Sequence, residues 1–141
     1  MNSSGSPPVR VLCVDDNTEV AAAIRIALGR AGLNCVGTLA SANDLIEQVG
    51  STQPQVVLLD VDMSGRDSFE ALEEVSRVHP GVKTIMLSGH VRRELIDRAL
   101  ECGAWGYLSK NDGIEAVLAG IGRCLNGELA MSDEAVSALG W

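Results

Sequence analysis

Four consecutive apolar residues, Val56-Val57-Leu58-Leu59, run without a break into Asp60, and a second carboxylate, Asp62, and a turn at Gly65 follow. Such a run has no polar face, so both of its faces must be covered, which is the condition of an interior strand in a parallel sheet. Asp60 then lies at the strand's carboxyl end, where open α/β sheets bind ligands. Taken alone, Leu-Leu-Asp is better read as a core strand followed by a helix cap. A functional reading needs other groups at the same edge.

The rest of the chain supplies them. Val9–Val14 is a strand ending on Asp15-Asp16, and Asn17 or Thr18 can cap a helix with Val20, Ala23, Ile24, Ala27 and Leu28 on its apolar face, stopped by Gly32. Leu33–Leu39 reads as a second strand, followed by a helix capped by Ser41 and running to about Val49. After the central strand, Asp67 can cap a helix over Ser68–Val78 that ends before Pro80-Gly81. Val82–Leu87 is a fourth strand ending on Ser88-Gly89-His90, and Val91–Cys102 a helix stopped by Gly103. Trp105–Leu108 is a short fifth strand ending near Ser109-Lys110, before a helix over Gly113–Leu125 and a short extra helix over Ser132–Leu139. Strand and helix alternate five times, which predicts an α/β fold, a five-stranded parallel sheet with helices on both faces.

In that fold Asp15, Asp16, Asp60, Ser88 and Lys110 all fall at carboxyl ends of strands, on one sheet edge. Converging carboxylates repel by about 4 kcal/mol per close pair at ~4 Å and an effective dielectric near ~20. A hard divalent cation removes that penalty, and a water-accessible carboxylate site suits Mg²⁺. An ammonium and a hydroxyl beside a metal-bound carboxylate provide what phosphoryl oxygens need: neutralisation, a donor and positioning. Asp60 becomes a nucleophile that can be phosphorylated.

Composition excludes other classes. With 46% hydrophobic and 21% charged residues, the 141-residue chain can bury a core as one globular domain. Its formal charge of −8 argues against nucleic-acid binding by this chain alone. No apolar run approaches the roughly 20 residues of a membrane span, and the polar start is unlike a secretory signal. Cys13, Cys35, Cys102 and Cys124 stand singly, as buried thiols in a reducing compartment do, so the expected location is cytoplasmic.

Those residues together resemble a response-regulator receiver domain of two-component signalling, over residues 9–125 behind a flexible leader at 1–8. The resemblance implies a flavodoxin-like receiver fold with strand order 2-1-3-4-5. It implies that Asp60 is the phosphoacceptor and that Asp15 and Asp16 arrange Mg²⁺, Asp16 as a direct ligand, with the backbone carbonyl of Asp62 completing the set. Ser88 becomes the switch hydroxyl, Lys110 the phosphoryl partner, and Tyr107 the switch aromatic that rotates into space vacated behind the fourth strand. The expected partners are a sensor histidine kinase and an output domain or protein, with homodimerisation on phosphorylation and no multiple-turnover substrate. Gly106–Lys110 and Leu125–Ser132 are similar to the NarL/FixJ-type subgroup, in which a linker and a helix-turn-helix domain follow; residues 126–141 are accordingly expected to be a C-terminal linker or short extra helix. Asp62 and His90, each two residues beyond Asp60 and Ser88, are expected to overhang the path of attacking water and tune phosphoryl lifetime.

The sequence departs from the family at Ser64, where Pro is usual after Met, at Gly89 in place of Ala, and at Asn111, where Pro in a cis bond is common. None of the three removes a catalytic group. Two rivals remain. A haloacid dehalogenase-like phosphatase would use Asp60-Val61-Asp62 as its first motif, but Asn111-Asp112 is the nearest match to its late acidic pair. A pseudo-receiver would be an interaction module without phosphorylation, which retention of all five polar groups opposes.

Overall fold

The structure, a computed structural model, describes residues 7–63 and 65–141. Apart from Pro7 and Pro8, the leader expected over 1–8 lies outside the described residues, as does Ser64. Strand β1 (Arg10–Val14) is followed by helix α1 (Thr18–Arg30), β2 (Asn34–Leu39), α2 (Leu45–Thr52), β3 (Val56–Asp60) and α3 (Ser68–Val78). Then come β4 (Lys83–Ser88), α4 (Arg93–Glu101), β5 (Gly106–Ser109), a single 3₁₀ turn (Lys110–Asp112), α5 (Ile114–Leu125), β6 (Ala130–Met131) and α6 (Asp133–Leu139). Among the described residues no helix is long and apolar enough to cross a membrane.

The described strands form one parallel sheet in the order β2-β1-β3-β4-β5-β6. Because side chains alternate across a strand, the sheet divides the interior in two. Leu12, Val14, Val57, Leu59, Met86 and Tyr107 face α2, α3, α4 and α6. Val11, Cys13, Val56, Leu58, Ile85 and Leu108 face α1 and α5. The β3 side chains are fully buried, and at about 1.5–3 kcal/mol each the four apolar ones contribute roughly 6–12 kcal/mol before entropy. That burial anchors the strand whose last residue is a desolvated carboxylate. Cys13 and Cys124 are buried, with thiols pushed up to about 12 and about 11 by burial, whereas Cys35 and Cys102 are only half-buried, contrary to the expectation of four buried thiols.

Three further expectations need correction. Among the described residues the sheet has six strands, not five: β6 pairs with β5, Gly106 opposite Ala130 and Tyr107 opposite Met131. It fits because two glycines make room. A Cβ on Gly106 would collide with the Ala130 carbonyl, and one on Gly120 would lie 3.4 Å from the Ala130 Cβ and 2.8 Å from Leu108 Cδ1. Ser41 does not cap α2; its Oγ accepts the Asn43 N–H at 3.3 Å in a local turn, a competing use of a serine hydroxyl, and the helix starts at Leu45. Likewise α4 starts at Arg93 rather than Val91, because the backbone of His90 is bonded elsewhere. The other caps form as read: Asn17 Oδ1 accepts from Glu19 and Val20 N–H, and Asp67 Oδ1 from Phe69 and Glu70 N–H.

Candidate functional site

The carboxyl edge of β1, β3, β4 and β5 gathers the polar groups. Asp15 follows β1 directly; its N–H bonds the Leu39 carbonyl at 2.9 Å, and its Oδ1 accepts the Asn17 N–H at 2.9 Å. Asp60 ends β3, with its Oδ1 accepting the Asp62 N–H at 3.2 Å and its carbonyl accepting the Ser68 hydroxyl at 2.7 Å. From the 3₁₀ turn after β5, Lys110 places Nζ 2.8 Å from Asp15 Oδ2 and 3.2 Å from Asp60 Oδ2. Asp15 and Asp60 are buried, while Asp16 is exposed.

Burial raises the Asp60 carboxyl to about 6, the charge of Asp15 adds to the rise, and Lys110 and the Asp62 N–H oppose it. Burial by itself would lower the Lys110 ammonium, but the bonds and charges of Asp15 and Asp60 outweigh it and hold Lys110 above its usual value. One ammonium therefore faces two buried carboxylates, so the pocket has more negative than positive charge.

Oxygen atoms of Asp15, Asp16 and Asp60 lie within 4.8 Å of one another. Asp15 Oδ2 is buried with no aligned hydrogen-bond donor among the described residues, only the ammonium of Lys110 beside it. An all-carboxylate trio with a single ammonium beside it and one solvent-facing member fits a hard divalent cation. The side chain of Asp62 turns away from this trio.

It turns instead toward Ser88 and His90. The Ser88 hydroxyl donates to Asp62 Oδ2 at 3.2 Å and accepts the His90 N–H at 2.9 Å. His90 Nε2 lies 3.8 Å from Asp62 Oδ2, and both side chains are more than half exposed. Beneath them Tyr107 is fully buried, its OH donating to the His90 carbonyl at 2.7 Å; burial raises its phenol above the usual value. Tyr107, the expected switch aromatic, has its ring inward in this structure.

The structure thus brings Asp15, Asp16, Asp60 and Lys110 together, and places Asp62, Ser88, His90 and Tyr107 in an adjoining hydrogen-bonded group. Sequence reasoning missed Ser68, whose hydroxyl fixes the Asp60 backbone, and the Asn17 N–H that orients Asp15. Nothing in the sequence distinguishes Ser68 from any serine after a helix cap. Asn17 sits two residues after Asp15, the spacing at which a carboxylate accepts a backbone N–H. Asp112, part of the late acidic pair that a phosphatase would need, is exposed on the 3₁₀ turn and lies outside the trio.

The family model for the response regulator receiver domain matches residues 11–121. The response regulator protein VraR of Staphylococcus saprophyticus is 30% identical over 128 residues, 90% of this chain and 61% of that protein. The response regulator UvrY of Escherichia coli K12 is 33% identical over 121 residues, 85% of this chain and 56% of that protein. The chain spans about three fifths of the length of these curated relatives. A two-component response regulator of the LuxR family from Aurantimonas superposes with a TM-score of 0.89 at 24% identity, covering 94% of this chain and 96% of that one, a likeness of fold. Nothing in these likenesses supports the phosphatase or the phosphorylation-free reading.

Proposed function

The chain belongs to the response regulator receiver domain family, and from that premise we propose that it is a phosphorylation-dependent switch in which Asp60 accepts a phosphoryl group from a sensor histidine kinase. The observation that carries the proposal is the Lys110 ammonium set between two buried carboxylates, with a third carboxylate completing an oxygen-only cluster. In the transfer an Asp60 oxygen attacks phosphorus, an O–P bond forms, the P–N bond to the phosphohistidine breaks, and the leaving imidazole keeps the bonding pair. With its carboxyl near 6, Asp60 is ionised at neutral pH yet poorly solvated, as a carboxylate nucleophile should be.

Asp15, Asp16 and the backbone carbonyl of Asp62 would hold Mg²⁺, which neutralises phosphoryl charge when bound. Lys110, already beside Asp60 Oδ2, pairs with the incoming phosphoryl oxygens. The Ser88 hydroxyl exchanges its Asp62 acceptor for a phosphoryl oxygen. Asp62 and His90 lie over that edge and govern the approach of hydrolytic water. A charge-assisted hydrogen bond supplies roughly 1.5–3 kcal/mol, and moving an equilibrium from about 1:99 to 99:1 takes about 5.5 kcal/mol. Ser88 therefore acts with Lys110 and a bound partner rather than alone.

The proposed partners are the kinase and an output domain or protein, in the cytoplasm, with homodimerisation on phosphorylation and no specific DNA binding by this chain. No multiple turnover on a phosphomonoester is expected of a receiver. The test is intact-mass measurement after incubation with Mg²⁺ and acetyl phosphate. Wild type should gain one phosphoryl group and Asp60→Asn none; equal adduct on both would refute the assignment.

A further inference from the structure

Tyr107 joins the candidate phosphoryl edge to the last two elements of the chain. At one end its OH holds the His90 carbonyl, while the His90 N–H is held by Ser88 Oγ, so the backbone of His90 is gripped from both sides. At the other end its own carbonyl accepts the Ser132 N–H at 3.2 Å, and it is the register partner of Met131. Met131, Ala135 and Leu139 share the buried cluster of Tyr107, Ile96 and Ala99, which seats α6 on α4 and β5.

The seat is built for this segment. Gly106 and Gly120 together leave room for Ala130, whose N–H bonds the Trp105 carbonyl at 2.8 Å. Ser132 caps α6, accepting the Ala135 N–H at 3.1 Å, and Arg123 Nη1 donates to the Met131 carbonyl at 3.4 Å. With only two residues, β6 contributes few ladder bonds. Its hold depends on β5, and β5 carries Tyr107. Short elements with few backbone bonds come from the low-stability end of a fold.

We propose that residues 130–139, β6 and α6, are a strap whose docking is coupled through Tyr107 and His90 to the Ser88 hydroxyl, so that phosphorylation tightens it. The inference rests on phosphorylation of Asp60 as proposed above. A phosphoryl oxygen is a stronger acceptor than the half-exposed Asp62 carboxylate, since it lies at a buried edge beside Lys110. Ser88 held there holds the His90 N–H in place, which keeps the carbonyl acceptor of Tyr107 ordered and β5 fixed against β6. Because coupling is reciprocal, a loosened strap must in turn loosen the His90 backbone, with or without a phosphoryl group. The strap thereby carries the state of the edge to whatever contacts α6.

The test is amide hydrogen exchange at Ala130, Ser132 and His90, with Leu58 on β3 as control and intact mass as the measure of phosphorylation. With acetyl phosphate and Mg²⁺, exchange at Ala130 and Ser132 should slow about fivefold in wild type, the factor of one net hydrogen bond. In Tyr107→Phe, which keeps the ring and removes the hydroxyl, phosphorylation should leave those rates unchanged. Without any phosphodonor, Leu139→Ala should speed exchange at His90 while leaving Leu58 protected. An adduct on Asp60 with no change at Ala130 and Ser132 would overturn the strap and leave the phosphorylation reading standing. Absence of any adduct would overturn the phosphorylation reading and with it the phosphoryl control of the strap. The Leu139→Ala comparison then decides the Tyr107 coupling alone, and an unchanged His90 rate overturns that too.

Discussion

Replacing Asp60 by Asn should stabilise the metal-free protein at neutral pH. The folded carboxyl holds its proton up to about 6 because burial and Asp15 disfavour its charge, whereas the unfolded one titrates near 3.8. A carboxyl raised in the folded state contributes stability below the unfolded value, and the contribution is lost as pH rises through the folded one. At about 1.36 kcal/mol per pKa unit, ionised Asp60 destabilises the fold by about 3 kcal/mol at pH ~7.5, by roughly half of that at pH ~5 and hardly at all at pH ~3. Asn keeps an Oδ1 for the Asp62 N–H, and Lys110 keeps Asp15 as partner, so neither contact is orphaned. Urea denaturation in a chelating buffer should therefore show Asp60→Asn more stable than wild type, by a margin that shrinks in acid. Excess Mg²⁺ should narrow or reverse the gap, because a cation bound only by native wild type stabilises it by mass action. A variant no more stable than wild type at pH ~7.5, or a gain independent of pH, would refute the account of Asp60 as a desolvated, repelled carboxylate.

Asp62→Asn and His90→Ala should each change the dephosphorylation rate by more than about twofold, since both side chains are exposed and Asp62 bonds the Ser88 hydroxyl; rates within that factor, followed by loss of the intact-mass adduct, would show them to be solvated loop residues. Ser68→Ala should lower unfolding stability by about 1–2 kcal/mol, because it leaves the buried Asp60 carbonyl without the hydroxyl that now bonds it, and should also lower phosphoryl yield by misplacing Asp60. Denaturation and intact mass on one sample separate the two effects, and a stability equal to wild type would remove Ser68 from the supporting structure.

Most of the framework was legible because it rests on local physics. Unbroken apolarity at Val56–Leu59 demands cover on both faces whatever surrounds it, and the strand is buried along its whole length. Asn17 and Asp67 cap their helices with their own side chains, which needs nothing distant. Strand–helix alternation then puts Asp15, Asp16, Asp60 and Lys110 on one edge by connectivity alone, and their oxygen and ammonium groups do converge there. What only the tertiary structure decided depends on partners far along the chain. Ala130–Met131 is too short to show a strand period; it becomes β6 because Gly106 and Gly120 leave a space beside β5. A serine hydroxyl is free to rotate, so its direction follows from its neighbours: Ser41 turns to its own loop, Ser68 to the Asp60 carbonyl, and Ser88 to Asp62 and His90. The inward ring of Tyr107 is likewise a packing outcome, since a half-polar side chain on a short strand suits either face until Met131, Ile96 and the His90 carbonyl settle it. Periodicity and capping are written within a few residues, whereas lateral strand neighbours and hydroxyl directions exist only once distant segments have met.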